Sequence, residues 1–429
     1  MSNIVILGAG FGGITAAEHL KKHLPRLERR AGTLGNTKHT ITLIDQRNYH
    51  LLPFNLYEVA TAYISEEKEK NFMAIANTVR IPLRDIFGVS ESLKCIEDMI
   101  VRISLKDRKV FLRKGGFVSY DYLIVALGAE VNYFGIPGAE EYGLGLKDVN
   151  DALNMRNRLE ELAYAKQGGV MEIAIAGGGF SGCEVAAELT FFLQKLTRAL
   201  GLPTQFPIRI VEAGARILPG ASHEAAILAH NRLTSLGVTV HLDRMITKVT
   251  KHHILHTDAT STAKRKASEK LPYDLLIWTT GITPNSLIKT IQGAELQKGC
   301  LIVNNTLQVG PYREVFAIGD NTYCYDEKAR MKIPATAYYA IEQGRAAAKN
   351  ILYLMEGLMP TPYFPRKPVF GIPLGSRYAV VDLGFIQVTG FVGWVMRHFV
   401  SLKYYLEILP PARAVAFWVR AMLLYIRND

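Results

Sequence analysis

Residues 3–13 read Asn-Ile-Val-Ile-Leu-Gly-Ala-Gly-Phe-Gly-Gly, and this stretch decides the fold. An apolar run rich in β-branched residues enters a glycine-rich turn and then a helical pattern, which predicts strand, turn and helix. Gly8, Gly10 and Gly13 match G-x-G-x-x-G, in which the first glycine makes the turn and the second admits a pyrophosphate. The third glycine lets the helix pack on the strand. Unpaired N–H groups and the dipole at the helix start then favour phosphates.

A second copy of this pattern follows the apolar run at 173–176. Gly177, Gly179 and Gly182 take its three positions. One glycine-rich turn is weak evidence, but two in one chain predict two dinucleotide sites. We therefore expect an α/β fold with two Rossmann-like dinucleotide-binding domains.

Each predicted nucleotide site also has an acid at the end of its second strand. Asp45 and Glu212 are placed to accept hydrogen bonds from ribose hydroxyls. Asp45 lies further along the chain from the glycine-rich turn than the usual offset of about 20 residues. We attribute the difference to a basic loop at 25–39, after a helix that ends before Pro25. Glu212 would repel a 2′-phosphate, so the second site favours NADH over NADPH, a preference that Arg216 weakens slightly.

The composition is that of a globular protein, because 49% of the 429 residues are hydrophobic and 21% are charged. This excludes a disordered chain. The formal charge is +11 and no nucleic-acid-binding motif is present, so we expect anionic lipid rather than nucleic acid as the partner. The four cysteines show no C-x-x-C and no metal-ligand spacing, so we expect no metal site. A signal peptide is not expected, which indicates a cytoplasmic location, and no apolar run reaches the roughly 20 residues that span a bilayer.

Repeated strand-and-glycine patterns divide the chain. One such strand ends at Gly128 and a similar one ends at Gly281, while a third delivers Gly319 and Asp320. The predicted units are a discontinuous first domain at 1–150 and 286–370, a second domain at 151–285 and a C-terminal segment at 371–429.

The C-terminal segment predicts a membrane-associated helix. Residues 412–426 are apolar except for Arg413 and Arg420, and with Arg427 the arginines recur every seven residues, which draws one basic stripe along a helix. At 1.5 Å per residue the helix is roughly 24 Å long, short of the roughly 30 Å hydrocarbon core. We expect it to lie in the interface, with its arginines on lipid phosphates and Trp418 at acyl depth. A homodimer interface would show similar residues, and both can hold.

With both glycine loops, both acids, Gly281 and Gly319-Asp320 in this order, the chain resembles the two-dinucleotide-binding flavoproteins. Within them it is most similar to the type II NADH:quinone oxidoreductases. The resemblance implies FAD on the first domain, NADH on the second, a membrane quinone as acceptor and a peripheral position on the cytoplasmic side of the cell membrane. It implies FAD contacts at Gly8, Gly10, Gly13, Asp45 and Asp320, NADH contacts at Gly177, Gly179, Gly182 and Glu212, and further cofactor-binding candidates at Phe11, Gly12, Gly128, Gly281, Gly319 and Ala337.

The resemblance also implies three catalytic candidates. Glu184 matches a glutamate near the nicotinamide in this family, although it could be only a first-turn acid that complements the helix dipole. Family members carry two glutamines four residues apart, and Tyr338 and Glu342 take these positions on one helix face. Either could donate to a quinone oxygen if Glu342 is protonated in a low-dielectric pocket. The alternative is a packing tyrosine and a solvated glutamate.

Three other functions stay open. A sulfide:quinone oxidoreductase needs cysteines beside the flavin, and Cys183 and Cys324 form no obvious pair. A reductase of a soluble electron-carrier protein leaves the apolar C-terminal segment unexplained. A redox sensor would bind NADH and flavin without turnover, and the substituted Tyr338 and Glu342 are compatible with it.

Overall fold

The computed structural model describes residues 2–30, 39–63, 74–166, 168–201, 203–261 and 267–428. Two largely parallel β-sheets organise the chain. Sheets of this kind are covered by helices on both faces, so their strands are apolar throughout. The first strand shows this, because residues 4–7 are fully buried.

The first sheet has six strands: β1 (Asn3–Leu7), β2 (Thr40–Asp45), β5 (Leu93–Glu97), β9 (Tyr122–Val125), β22 (Gln308–Val309) and β23 (Tyr312–Ala317). Their spatial order is β22-β23-β9-β1-β2-β5, in which β22 is antiparallel to β23 and the other neighbours are parallel. This sheet is therefore built from two separated segments of the chain, with β1 near its centre.

The second sheet has five strands: β11 (Gly143–Leu144), β12 (Ile173–Ala176), β13 (Ile208–Val211), β14 (Thr239–His241) and β18 (Leu275–Trp278). Their order is β11-β18-β12-β13-β14, and all pairs are parallel. The two sheets confirm the predicted α/β class with two Rossmann-like units, while the exact domain boundaries stay predictions.

The other strands form small antiparallel or mixed sheets: β3 (Tyr49–Leu51), β4 (Arg80–Pro82), β6 (Ile100–Ser104), β7 (Lys109–Leu112), β8 (Phe117–Ser119), β10 (Ala129–Val131), β15 (Arg244–Thr250), β16 (His253–Asp258), β17 (Ser268–Pro272), β19 (Ile282–Pro284), β20 (Leu296–Gln297), β21 (Cys300–Ile302), β24 (Thr322–Tyr323), β25 (Tyr325–Asp326), β26 (Met331–Lys332), β27 (Phe370–Pro373), β28 (Ala379–Asp382) and β29 (Gln387–Thr389). Among them, β10 pairs with β19 and forms a ribbon that joins the ends of β9 and β18.

The α-helices are α1 (Phe11–Arg30), α2 (Leu56–Ala60), α3 (Leu83–Phe87), α4 (Ala139–Tyr142), α5 (Val149–Ala165), α6 (Phe180–Ala199), α7 (His223–Ser235), α8 (Ala337–Met355), α9 (Gly390–Ile408) and α10 (Pro411–Asn428). Because α1 follows β1 and α6 follows β12, both glycine-rich stretches fold as strand, turn and helix, which confirms the prediction.

The predicted end of the first helix before Pro25 is wrong, because α1 runs through this proline to Arg30. Leu20 and Leu24 are fully buried and hold this part of the helix against the core. Pro25 itself is exposed, so the carbonyl that loses its N–H partner to the proline can bond to water. Residues 31–38, the remainder of the predicted loop, lie outside the described residues.

The C-terminal segment packs closely on the first half of the molecule. Tyr404 and Tyr405 of α9 are buried, and so is Arg397. None of the helices within the described ranges is long and apolar enough to cross a bilayer. The burial of Tyr404, Tyr405 and Arg397 makes the C-terminal segment part of the folded core.

Trp418 of α10 does not take the outward position predicted for it. Its indole Nε1 donates to the carbonyl oxygen of His398 at 2.8 Å, and its ring centroid lies 5.5 Å from that of Phe399. Ala414 and Ala421 on the same side of α10 are buried, and their small side chains let α10 approach α9. Trp418 thus packs between the two helices rather than pointing away from the protein.

Candidate functional site

The first glycine-rich loop has the shape that a pyrophosphate cradle requires. Gly8 has φ +102°, and a Cβ on it would collide with the carbonyl oxygen of Ala126. A Cβ on Gly13 would collide with the carbonyl oxygen of Gly8, so this glycine permits the close approach of helix and strand. At Gly10, by contrast, nothing lies within 4 Å of an added Cβ. The middle glycine therefore leaves its backbone open to a ligand.

The second loop repeats this geometry. Gly177 has φ +99°, and a Cβ on it would lie 2.8 Å from the Cα of Thr280. A Cβ on Gly182 would collide with the carbonyl oxygen of Gly177, whereas Gly179 has open space around it. The residues present thus fit a dinucleotide pyrophosphate at both loops, and α1 and α6 direct their N-termini to it.

The two acids predicted to bind ribose hydroxyls accept hydrogen bonds from the backbones of the two glycine-rich loops. Asp45 Oδ2 accepts a hydrogen bond from the backbone N–H of Ala9 at 2.6 Å, and Glu212 Oε2 accepts one from Gly178 at 2.6 Å. Burial raises the pKa of Asp45, and backbone N–H donors, first that of Ala9, oppose the rise. Both acids therefore lie beside their cradles, and their contact with ribose stays a prediction.

Arg216 does not offset the charge of Glu212. Its guanidinium donates to the carbonyl oxygens of Pro219 at 3.0 Å, Ala221 at 3.2 Å and Ser222 at 3.3 Å. An arginine committed to backbone carbonyls is a poor partner for a 2′-phosphate. The preference of the second site for NADH over NADPH stays a prediction.

Gly128 and Gly319 follow the C-terminal ends of β9 and β23 in the first sheet. Two amide side chains accept hydrogen bonds from their backbone N–H groups. The N–H of Gly128 donates to Asn321 Oδ1 at 3.0 Å, and the N–H of Gly319 donates to Gln343 Oε1 at 2.7 Å. Beside them, burial raises the pKa of Asp320, against the opposing charges of Lys147 and Lys332.

A cavity lies between these strand ends and the start of α8. Gly319, Lys332, Thr336, Tyr339 and Gln343 contribute to its wall. Thr336 caps the helix by accepting the N–H of Tyr339, so Ala337 is the first helical residue. The cavity has a volume of about 10 Å³, about enough for one water molecule, and its wall also includes Ile333 and Pro334. The flavin contacts of Gly319 and Ala337 therefore stay a prediction.

Gly12 and Phe11 serve the packing around the first cradle. A Cβ on Gly12 would lie 3.1 Å from the carbonyl oxygen of Ala340, and one on Gly344 would lie 2.5 Å from the carbonyl oxygen of Gly12. Helices α1 and α8 therefore meet backbone to backbone. Phe11 stacks on Phe54 with a centroid distance of 5.7 Å. The structure thus gives both residues a packing role, and their contact with cofactor stays a prediction.

His50, which the sequence did not single out, connects the first cradle to α9. It is fully buried, and burial lowers its pKa to about 4, so the ring is neutral. Its Nδ1 lies 2.8 Å from the carbonyl oxygen of Ala9 and must carry the proton. Its Nε2 is then an acceptor for the hydroxyl of Tyr404 at 2.8 Å. Because the interaction joins residues far apart in the chain, no local sequence pattern could have revealed it.

Glu184 lies beyond the first turn of α6, so the alternative of a first-turn acid is wrong. Burial raises its pKa from 4.5 to about 8, and the charge of Arg397 opposes this rise. Arg397 is itself buried, and it donates to Asn55 Oδ1 at 2.6 Å and to Ser401 Oγ at 3.1 Å. Glu184 is therefore a largely protonated carboxyl at neutral pH, enclosed where α6 approaches the C-terminal segment.

Tyr338 and Glu342 share one face of α8, as predicted, but their surroundings differ. The guanidinium of Arg345 donates to both Glu342 and Glu407, which ties α8 to α9. Tyr338 is half-buried, and burial raises its pKa, as does Glu342, while the charges of Arg366 and Arg345 oppose the rise. Glu342 is therefore paired with a cation while 24% of its side chain stays exposed. The alternative of a packing tyrosine and a solvated glutamate stays open.

Comparison with known proteins places this geometry in a family. The sequence profile of the pyridine nucleotide-disulphide oxidoreductases matches residues 2–344. The chain is 31% identical to demethylphylloquinone reductase NdbB from Synechocystis sp., over 93% of this chain and 91% of that protein. It is 27% identical to the type II NADH:quinone oxidoreductase from Haemophilus influenzae, over 91% of this chain and 87% of the relative.

Solved structures show the same fold. NDH2 from Plasmodium falciparum, in complex with NADH, superposes with a TM-score of 0.80 at 19% identity, covering 98% of this chain and 97% of that one. The sulfide:quinone oxidoreductase from Aquifex aeolicus gives 0.74 at 18% identity, covering 100% and 92%. The chain therefore belongs to the pyridine nucleotide-disulphide oxidoreductase family, in which its curated relatives include type II NADH:quinone oxidoreductases.

Proposed function

We propose that this protein is a type II NADH:quinone oxidoreductase that holds FAD in the first cradle and NADH in the second. FAD, when bound, accepts a hydride from NADH and passes two electrons to a quinone. The observation that carries the proposal is the duplicated cradle, with open backbone at both Gly10 and Gly179. The quinone is supported by the activities for which the relatives are named.

The strand order of the second sheet supports one direction for NADH. Glu212 follows β13, the cradle follows β12, and Gly281 lies just beyond β18, so the three groups lie side by side along one sheet edge. An adenosine ribose at Glu212 and a pyrophosphate at Gly179 leave the end of β18 for the nicotinamide half. From there the β10–β19 ribbon leads to the first sheet. NADH thus extends its reactive ring toward the flavin domain.

We assign the hydrogen-bond donor of the quinone site to Tyr338 rather than to Glu342. Glu342 accepts from the Arg345 guanidinium, and this pair bridges to Glu407 on the neighbouring helix. A carboxylate in this pair is an acceptor, so it cannot offer the donor that a quinone carbonyl needs. The Tyr338 phenol keeps its proton at neutral pH because the ordinary pKa of a phenol is about 10, and burial raises this pKa further. The role of Glu342 is to hold α8 on α9.

The function is tested by steady-state oxidation of NADH with ubiquinone, menaquinone and plastoquinone analogues, with NADPH as the control donor. We expect turnover with at least one quinone and a marked preference for NADH, because Glu212 opposes a 2′-phosphate. In the same assay, Tyr338→Phe should raise the KM for quinone by about tenfold, the loss of one hydrogen bond to a bound ligand, and leave the KM for NADH unchanged.

Glu342→Gln is the matched control, since it keeps the shape and removes the charge that pairs with Arg345. We expect it to lower thermal stability more than quinone affinity. A protein that is reduced by NADH but turns over with no quinone would contradict the function and favour the redox sensor. A larger loss of quinone affinity in Glu342→Gln than in Tyr338→Phe would contradict the assigned roles.

Sulfide:quinone oxidoreduction is the weaker enzymatic alternative. Cys183 is fully buried, and its thiol lies 3.4 Å from the carbonyl oxygen of Gly178. Cys324 is 5% exposed. Burial raises the pKa of both thiols, which disfavours the thiolate that sulfur transfer needs.

The membrane position is a further part of the proposal, and an exposed apolar surface supports it. The β28–β29 turn presents Phe385, which is 87% exposed, and α9 presents Phe391 and Phe399 on its outer side. Val415 and Val419 of α10 are also exposed. Large exposed apolar side chains on these elements support a position on a membrane. We infer that the β28–β29 turn, α9 and α10 enter the membrane interface together on the cytoplasmic side. The sequence had predicted this position for the C-terminal helix alone.

This position predicts reduced vesicle binding when the apolar tip is made polar. The double variant Phe385→Ser and Phe391→Ser should lose most co-sedimentation with phosphatidylcholine vesicles that contain anionic phosphatidylglycerol, because apolar burial is lost. Phe117→Ser is a matched control, since Phe117 is 51% exposed but lies on β8. Undiminished vesicle binding by the double variant, together with a shift to monomers in solution, would assign the surface to a homodimer instead.

A further inference from the structure

Phe134 lies in an unusual position beside the second nucleotide site. Its backbone adopts the left-handed conformation, with φ +53°, although it is a bulky aromatic residue. The residue is 59% exposed. The ring edge rests against Gly281, where an added Cβ would lie 2.8 Å from the Phe134 Cζ atom. The ring therefore lies at the exposed end of β18.

Hydrogen bonds on all sides hold the Phe134 loop in this conformation. The N–H of Phe134 donates to Asn132 Oδ1 at 2.8 Å, and the N–H of Asn132 donates to the carbonyl oxygen of Gly281 at 3.1 Å. The indole of Trp278 donates to the carbonyl oxygen of Asn132 at 2.9 Å. The N–H of Ile136 donates to the carbonyl oxygen of Tyr133 at 3.0 Å. Backbone strain persists only where its surroundings fix it in this way, and such places cluster at ligand sites.

Packing within the protein does not account for this strain. Leu218 and Leu307 are the other apolar residues of the described ranges with positive φ, and both are fully buried. Burial of their side chains in the core compensates for the strained backbone. Phe134 instead presents its ring outward and gains little burial. An aromatic ring held in this manner is suited to contact with a ligand.

The position of the ring selects the part of the ligand that it meets. The adenosine ribose is assigned to Glu212 beyond β13 and the pyrophosphate to Gly179 beyond β12. Since β18 lies on the opposite side of β12 from β13, a dinucleotide that follows this edge reaches Phe134 with its nicotinamide half. Apolar contact and ring packing are the interactions that a phenyl group offers a dihydronicotinamide.

We propose that Phe134 is a positioning residue against which the nicotinamide mononucleotide half of NADH packs in the second site. The inference rests on the proposed function only in taking NADH as the ligand. The fixed loop holds the ring ready before NADH arrives, so little side-chain entropy is lost on binding. Gly281 is small enough to let the ring lie at the strand end.

The test compares Phe134→Ala with Phe134→Tyr in the FAD-loaded protein. We expect Phe134→Ala to raise the KM for NADH and for reduced nicotinamide mononucleotide roughly tenfold, the order of one aromatic contact. The dissociation constant of NAD⁺, measured by calorimetry without turnover, should rise by a similar factor. ADP-ribose, which lacks the nicotinamide, should bind as to the wild type, and Phe134→Tyr should restore NADH and NAD⁺ binding.

Phe117→Ala removes another exposed ring and should leave all these constants unchanged. The assignment would be overturned if Phe134→Ala left the dissociation constant of NAD⁺ and the KM for NADH unaltered. It would also be overturned if the variant bound ADP-ribose more weakly by the same factor, or if it lost FAD. Equal losses in Phe134→Tyr and Phe134→Ala would also contradict it. Because the wild type is assayed beside the variants, a failure of the proposed function is seen as wild-type inactivity and is distinct from these outcomes.

Discussion

Alanine at Gly179 should weaken NADH binding by at least about a hundredfold, or about 2.7 kcal/mol, while the protein stays folded. The backbone of Gly179 has φ −72° and ψ −173°, a conformation open to any residue. No protein atom lies within 4 Å of the added methyl group. The methyl would instead occupy the space through which the loop approaches the pyrophosphate. Titration of the FAD-loaded protein with NAD⁺ measures the loss, and thermal unfolding verifies the fold.

Gly182→Ala is the matched control for this variant. Its methyl would collide with the carbonyl oxygen of Gly177, so the helix must shift and thermal stability should fall by roughly 1–3 kcal/mol. Gly10→Ala should weaken the binding of FAD and leave the binding of NADH unchanged. If Gly179→Ala bound NAD⁺ with wild-type affinity, the second loop would not be a pyrophosphate cradle.

Glu184→Gln should change how stability depends on pH. In the folded protein the pKa of Glu184 is raised from 4.5 to about 8. Between these values the folded chain keeps a proton that the unfolded chain releases, so wild-type stability falls as the pH rises. Glutamine has no such proton. Relative to the variant, the wild type should lose up to about 1.4 kcal/mol per pH unit in this window, and the loss should be complete above about pH 8.

Urea unfolding of both proteins at pH 5, 6.5 and 8 measures this difference. Glu161→Gln is the control, because its side chain is 65% exposed on α5, and its curve should run parallel to that of the wild type. A constant difference between wild type and Glu184→Gln across these pH values would show that Glu184 is not protonated in the fold.

The parts of the fold that follow local rules could be predicted from sequence. Gly8, Gly13, Gly177 and Gly182 occupy positions where backbone conformation or close approach requires glycine, and these constraints act within a few residues of each loop. The acids at the ends of β2 and β13 follow from the same repeating unit. For this reason the residue pattern alone was sufficient to locate both cradles.

The contacts between distant segments could not be predicted in this way. His50 meets Tyr404, and Asn55 meets Arg397, across more than three hundred residues of chain. Spacing along the sequence says nothing about such pairs. The sequence therefore predicted a membrane-associated C-terminal segment, and it did not show that Tyr404 and Arg397 of this segment pack on the first half of the chain.

Charge pairing likewise decided the environment of Glu342. The sequence placed it on one face with Tyr338, and helix spacing made this certain. Its partner is Arg345, whose guanidinium also binds Glu407 on another helix. Whether a carboxylate is solvated, protonated or paired depends on such neighbours, which a single sequence does not specify.

The central claim is most directly tested by following the flavin spectrum of the purified protein through the two half-reactions without oxygen. Mixing with one equivalent of NADH should bleach the flavin rapidly, and NADPH should do so far more slowly. Subsequent mixing with a quinone should restore the oxidised spectrum in a single turnover. A flavin that NADH does not bleach, or that no quinone reoxidises, would contradict the account.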